Sequence, residues 1–278
     1  IVSDGWSMQV MVDELLQAYA AARRGEQPTL APLKLQYADY AAWHRAWLDS
    51  GEGARQLDYW RERLGAEQPV LELPADRVRP AQASGRGQRL DMALPVPLSE
   101  ELLACARREG VTPFMLLLAS FQVLLKRYSG QSDIRVGVPI ANRNRAEVER
   151  LIGFFVNTQV LRCQVDAGLA FRDLLGRVRE AALGAQAHQD LPFEQLVDAL
   201  QPERNLSHSP LFQVMYNHQS GERQDAQVDG LHIESFAWDG AAAQFDLALD
   251  TWETPDGLGA ALTYATDLFE ARTVERMA

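Results

Sequence analysis

Residues 112–140 constrain the fold more than any other stretch. Thr112-Pro113 opens a run, Phe114 to Tyr128, that is apolar nearly all round, with Met115-Leu116-Leu117-Leu118 at its start. A helix of that kind offers water no face, so it should be buried. Thr112 is a favoured N-cap, and Pro113 suits the first helical position because it has no N–H to leave unpaired there. Ser129-Gly130 ends the helix. Asp133 to Ile140 then reads as a β-branched strand bounded by Pro139. The next turn, Ala141-Asn142-Arg143-Asn144-Arg145, is polar and basic. Ligand groups gather at strand ends of this kind in open α/β sheets.

The chain has 278 residues and 47% hydrophobic content, enough for one large core or two lobes. Its formal net charge is −11, without a Lys/Arg run, which argues against nucleic acid or an anionic membrane as partner. No apolar run approaches the length of a membrane span. Cys105 and Cys163 both lie in apolar runs and read as small buried hydrophobes, which favours a reducing cytoplasm. The five histidines do not share metal-ligand spacing, so no metal is expected.

Taken in order, residues 7–24 have Met8, Val12, Leu15 and Tyr19 at helical spacing, which predicts an amphipathic helix that packs on the core. Ser7 or Asp4 can cap its start, and Arg23-Arg24-Gly25 suits its end. After a Pro-bounded linker, Tyr37-Ala38-Asp39-Tyr40-Ala41-Ala42-Trp43 continues as a helix through Trp47. Its aromatic stripe is expected to anchor it to the first part of the chain, with His44 at the surface. A third helix covers about 54–66. Pro69 to Ala83 reads as an extended connector.

Beyond the connector, Arg86–Leu94 alternates as a strand and Leu98–Arg108 as a helix. Ile152-Gly153-Phe154-Phe155-Val156-Asn157-Thr158 leads into a strand that runs on to Arg162, and Gly153 allows a close backbone approach or an unusual dihedral there. Phe171–Ala187 is a helix. His188-Gln189-Asp190-Leu191-Pro192-Phe193-Glu194 reads as a joint, with Asp190 capping the following helix. Strands are expected at 212–217, 231–238, 245–252 and 258–264, with a polar loop between the first two, and the start of a helix closes the chain.

These blocks carry a resemblance. Ile1-Val2-Ser3-Asp4-Gly5-Trp6-Ser7 resembles the tail of the His-His-x-x-x-Asp-Gly signature of condensation domains from nonribosomal peptide synthetases. Tyr37–Trp43, Ile152–Thr158 and His188–Glu194 are similar to further blocks of that family, in the family's order. So is Arg204-Asn205-Leu206-Ser207-His208-Ser209-Pro210-Leu211, with Asn205 in place of Asp and His208 in place of Arg. The resemblance implies an α/β (two-layer α+β) fold of the chloramphenicol-acetyltransferase type, with two lobes and an active-site tunnel between them. Residues 1–80 would form the last part of an incomplete first lobe, and 81–278 the second, with a latch near 237–247. The motif histidines would stand just before Ile1, so the chain alone is expected to be inactive and poorly soluble.

The implied reaction joins a carrier-bound acyl or peptidyl thioester to a carrier-bound aminoacyl amine, after an L-residue donor. The implied partners are upstream and downstream peptidyl carrier domains and an adjacent adenylation domain. No cofactor would bind directly, because the phosphopantetheine arms arrive on the carriers. Asp4 and Gly5 are expected to hold the histidine loop, and Trp6, Arg143, Gly153, Asn157 and Ser209 to line the tunnel. A carboxylate at a lobe interface needs a cation or several hydrogen bonds, and Arg143 is the expected partner of Asp4. An epimerisation domain, a non-catalytic recruitment domain and a small-molecule acyltransferase share the scaffold. The first differs after the Asp, and the second differs in its histidines.

Overall fold

The computed structural model describes residues 2–200, 205–219, 227–228, 231–232, 242–255 and 257–278. Its helices are α1 (Gly5–Arg23), α2 (Tyr37–Trp47), α3 (Gly53–Leu64), α4 (Val96–Glu109), α5 (Pro113–Ser129), α6 (Phe171–Gln186), α7 (Phe193–Leu200) and α8 (Ala271–Met277). The strands are β1 (Gly87–Ala93), β2 (Asp133–Ile140), β3 (Asn157–Gln164), β4 (Val214–Gln219), β5 (Gln227–Val228), β6 (Leu231–His232), β7 (Leu247–Thr254) and β8 (Gly257–Ala265). α5 is the buried helix expected from its composition. Thr112 caps it by accepting the Met115 N–H at 3.2 Å, and Gly130 ends it at a φ of 73°. Leu116, Leu118, Phe121 and Leu125 are each exposed by 2% or less.

α5 packs on a six-stranded sheet of order β1-β8-β7-β4-β2-β3. β4 runs parallel to both β2 and β7, and the other pairs are antiparallel. A single pair, Gly137 with Met215, joins β2 to β4. Phe212 takes the place of a side chain at Gly137, where an added Cβ would lie 2.2 Å from its ring. From β2 the chain turns to β3 on one side, and from β4 it passes to β7 on the other. The carboxyl ends of β2 and β4 therefore flank a switch point in the strand order, where α/β sheets open a crevice.

The stretch that reads as a connector is a strap tied to the sheet layer along its length. The Leu71 N–H donates to Gln213 Oε1 at 2.6 Å, and Gln131 bonds to both Val70 and Glu72. Asp76 accepts from the Glu270 N–H and the Thr273 hydroxyl. Arg79 forks onto both oxygens of Asp246, and Ser84 onto those of Asp267. Trp60 and Leu64 of α3, and Leu71 of the strap, share one core with the strands. Packing thus runs unbroken across residue 80.

α1 and α2 depart from expectation. Leu15 is 68% exposed, and Met8 and Tyr19 are also exposed, so the apolar stripe of α1 is not what docks it. The helix is held instead through Ser7, which is fully buried, and through Glu14, paired with Arg150 at 3.2 Å. Those positions lie about a third of a turn away from the stripe, since seven residues nearly complete two turns. Periodicity finds an apolar face without saying what covers it. The aromatic stripe of α2 meets the 143–155 segment rather than the first part of the chain: Tyr40 packs on Phe155 at 4.7 Å, and the Arg145 guanidinium lies 4.2 Å from the Trp43 centroid. His44 is half-buried between Tyr40 and Trp47, and its Nε2 donates to the Asp190 carbonyl at 2.9 Å, so it is not a surface residue. Asp190 does not cap α7, either. The Phe193 N–H goes to Asn157 Oδ1 at 3.0 Å.

Residues 237–241 of the expected latch lie outside the described residues, as do 233–238 of the strand expected after Leu231. Ala242 bridges to Arg86, and the Ala243 N–H donates to the Gly85 carbonyl, before β7 begins. No single helix among the described residues is long and apolar enough to cross a membrane, and α4 and α5 meet at a bend of 105°.

Candidate functional site

The N-terminus of α1 and the turn after β2 meet in one buried polar cluster. Asp4 caps α1, its Oδ1 accepting the Ser7 N–H at 2.8 Å. Arg143 Nη2 reaches Asp4 Oδ1 at 3.1 Å and Oδ2 at 3.4 Å, and the Phe155 N–H donates to Oδ2 at 2.9 Å. The side chain of Arg143 is 1% exposed and that of Asp4 5%. This is the cross-fold pairing expected from the cost of burying a carboxylate alone. Arg143 does more than pair: its Nη1 donates to the carbonyls of Val148 at 2.7 Å and Leu151 at 2.8 Å. Its guanidinium also lies 4.0 Å from the Phe155 ring centroid and 5.9 Å from that of Trp6. A planar fork with five donors suits this arrangement, and lysine could not reproduce it.

Ser7 sits at the centre. Its hydroxyl donates to the Gly153 carbonyl at 2.8 Å and accepts from the Gly153 N–H at 3.1 Å and from Arg143 Nη2 at 2.7 Å. One hydroxyl hydrogen and two lone pairs are thereby all used. From sequence alone Ser7 reads only as an alternative helix cap. The available signal that it points inward is a serine on the first turn with the apolar stripe on another face.

Gly153 is buried beside Ser7, and an added Cβ would lie 2.1 Å from the Tyr37 ring. The close approach is its reason; its φ is not in the left-handed region. Trp6 is half-exposed, with its indole N–H on the Glu149 carbonyl at 2.8 Å. Asn142, immediately before Arg143, is the one described non-glycine residue with positive φ, at 51°. Asn tolerates that conformation better than most residues, and such turns cluster at functional sites. Asn157 lies two residues beyond Phe155, and its amide is occupied by the 189–193 joint. Gly5 is in the first turn of α1 with open space beside it.

Ser209 stands apart from this group. It precedes β4, whereas Arg143 follows β2, and the two strands are parallel, so they lie at opposite ends of the sheet. There Ser209 helps line a cavity of about 240 Å³ with Arg79, His208 and Asp246. Asn205, at the position where the family resemblance has Asp, caps a turn by accepting the Ser207 N–H at 2.8 Å. The described residues contain no group of three or more His, Cys, Asp or Glu side chains that could hold a metal ion.

Burial pushes the Asp4 carboxyl up, but the N–H groups of Ser7 and Phe155, together with Arg143, outweigh it and hold its pKa below the ordinary 3.8. A carboxyl more acidic in the folded state stabilises the fold fully above its unfolded pKa, and that contribution is lost as pH falls through the folded value. Asp4→Asn should therefore lower the melting temperature at pH 7, and its gap from wild type should narrow as pH drops below about 4. A gap that stays constant down to a pH of about 2.5 would show that the charge of Asp4 contributes nothing.

The Condensation domain family matches residues 1–278. The chain is 52% identical over 280 residues to a subunit of the linear gramicidin synthase of Brevibacillus parabrevis, covering 100% of the chain and 4% of that protein. It is 42% identical over 278 residues to phosphinothricin tripeptide synthetase PhsC of Streptomyces viridochromogenes, covering 99% of the chain and 26% of that protein. The chain thus spans only a small part of these relatives. Among solved structures, the X-domain in its complex with OxyB from teicoplanin biosynthesis superposes with a TM-score of 0.87 at 32% identity, over 100% of this chain and 63% of that one. The four-domain nonribosomal peptide synthetase AB3403 gives 0.86 at 24% identity, over 99% and 22%, and speaks for the fold alone. With Asp4-Gly5, the Gly153–Thr158 block and the His188–Glu194 joint in one connected site, and the whole length matched, this chain belongs to the condensation domains of nonribosomal peptide synthetases, with their chloramphenicol-acetyltransferase-like α/β fold.

Proposed function

We propose that the chain serves amide-bond formation between a carrier-bound acyl or peptidyl thioester and a carrier-bound aminoacyl amine. The amine nitrogen attacks the thioester carbonyl, the C–N bond forms, and the C–S bond breaks. The thiol of the donor carrier leaves, and the amine's surplus proton passes to it or to solvent. A thioester is already activated, and an α-amine with a pKa of roughly 7.7–8.0 is partly free base near neutral pH. Positioning and oxyanion stabilisation are then the main demands.

The observation that carries this reading is the buried Asp4–Arg143 pair, which ties the Asp-Gly motif to the sheet end. Asp4 is turned inward, with both oxygens held by Arg143 and two backbone N–H groups and its side chain 5% exposed. Its role is to hold the loop that precedes it. Trp6, half-exposed, would line a tunnel between a first lobe that includes residues 1–80 and a second that follows, with Arg143 and Gly153 buried behind it to hold its wall. Ser3-Asp4-Gly5-Trp6-Ser7 favours an L-residue donor. Carrier domains on both sides, with their phosphopantetheine arms, and an adenylation domain would be the partners, in the cytoplasm. The test is product formation by the complete synthetase with both carriers loaded. Peptide in wild type that falls by about tenfold or more in Asp4→Ala supports the reading, and unchanged peptide yield in that variant removes the site from it.

One observation favours a second reading. The X-domain neighbour at 32% identity is described in complex with another protein, OxyB. Recruitment without catalysis would leave the loaded carriers unreacted in the same assay.

A further inference from the structure

The five residues from Gly153 to Asn157 each touch a different part of the protein or join two that do. Gly153 holds Ser7 through both its N–H and its carbonyl. The Phe154 carbonyl accepts the Tyr37 hydroxyl of α2 at 2.6 Å. The Phe155 N–H supports Asp4 at 2.9 Å. Asn157 then closes the segment. Its Nδ2 donates to the carbonyls of Gln189 at 2.9 Å and Leu191 at 2.8 Å, and its Oδ1 accepts the N–H of Phe193 at 3.0 Å and of Thr158 at 2.9 Å.

The joint that Asn157 grips is itself fixed from the opposite side. Gln56 of α3, fully buried, accepts the N–H groups of Asp190 at 3.0 Å and Leu191 at 2.9 Å. His44 of α2 donates to the Asp190 carbonyl, and the Trp60 indole to that of His188 at 2.9 Å. A joint bonded from both sides makes Asn157 an anchor. Only Val156 separates it from the Phe155 amide, and an extended backbone rises about 3.3 Å per residue, so little slack lies between them.

We propose that Asn157 is a positioning residue for condensation: its amide fixes where the Phe155 N–H stands, and through that N–H the Asp4 carboxylate and the motif loop. The inference rests on the amide-forming reading above. It assigns Asn157 no contact with substrate, because all four of its hydrogen-bonding positions are occupied within the protein. Misplacing a reacting group by about 1 Å can cost roughly a hundredfold in rate, so a strut of this kind can matter at a distance.

The test uses the complete synthetase. Asn157→Ala should lower kcat by about 10- to 100-fold while KM for each loaded carrier stays within about twofold. In an Asp4→Asn background the same change should cost less than about twofold, because residues acting through one contact are not additive. Losses that multiply in the double variant, a KM rise that accounts for the loss, or full activity in Asn157→Ala would each overturn the proposal. Asn157→Ser, which keeps one donor, serves if the alanine variant does not fold and should fall between it and wild type. The two changes should also be coupled in melting temperature, a readout that needs no turnover. Coupling without any peptide product would sink the reaction assigned to the site and leave the strut standing. Peptide product with additive effects would sink the strut alone.

Discussion

Arg143→Ala is expected to cost about 3–5 kcal/mol of folding stability, the range for removing one partner from a buried ion pair. Several losses coincide. Asp4, with its side chain 5% exposed, keeps two backbone donors but loses the one cation paired with it among the described residues. The carbonyls of Val148 and Leu151 lose the donor that joins them, and Ser7 loses one of its three partners. The Phe155 ring loses the cation over its face. Arg143→Lys should recover little, since one ammonium cannot reach the carboxylate, the hydroxyl and two carbonyls from a single position. The pair need not be a net stabiliser for this to hold, because the loss measures an abandoned charge. Urea unfolding of the intact domain supplies the number. A loss below about 1 kcal/mol would mean that water or another side chain takes over the site, and that Arg143 does not fix the loop.

That pairing is legible in the sequence although 139 residues separate its partners. A carboxylate beside a helix start needs a cation if buried, and a basic turn after a β-strand is where one would stand. The helix caps are legible for a similar reason: Thr112 acts through its own hydroxyl, and Gly130 and Gly25 through backbone geometry, all within a few residues. What escapes the sequence is anything that depends on which surface covers which. The α1 stripe of Met8, Leu15 and Tyr19 has the right period yet lies exposed, because Ser7 and Glu14 dock the helix instead. The strap from Pro69 to Ala83 reads as a linker since its prolines and charges resemble one. Its Asp76 and Arg79 are bonded to partners near residues 246 and 270 that no local pattern reveals. The family blocks group Ser209 with Arg143. Strand direction alone separates them, and a strand's direction within a sheet is a tertiary property.

Gly153→Val is expected to destabilise the domain by about 3 kcal/mol, at the upper end of ordinary overpacking. The obstacle is space rather than backbone strain, because Gly153 does not use a left-handed φ. An added Cβ would sit 2.1 Å from Tyr37 Cδ2 and 2.6 Å from its Cε2, closer than atoms can approach. Either the ring or the backbone must move. The ring is partly exposed and could swing outward, but its hydroxyl is held by the Phe154 carbonyl and its edge packs on Phe155 at 5.1 Å. If the backbone moves instead, Gly153 loses its paired contacts with Ser7, and the shift passes directly to Arg143 and Asp4. Valine is worse than alanine, since it adds two γ-carbons on a stiff χ1 to a Cβ that already overlaps the ring. The cause can be isolated by removing the obstacle. Gly153→Ala should cost about 1–3 kcal/mol by itself, and much less in a Tyr37→Ala background. Equal costs in both backgrounds, measured by urea unfolding of the intact domain, would show that Tyr37 is not what reserves position 153 for glycine.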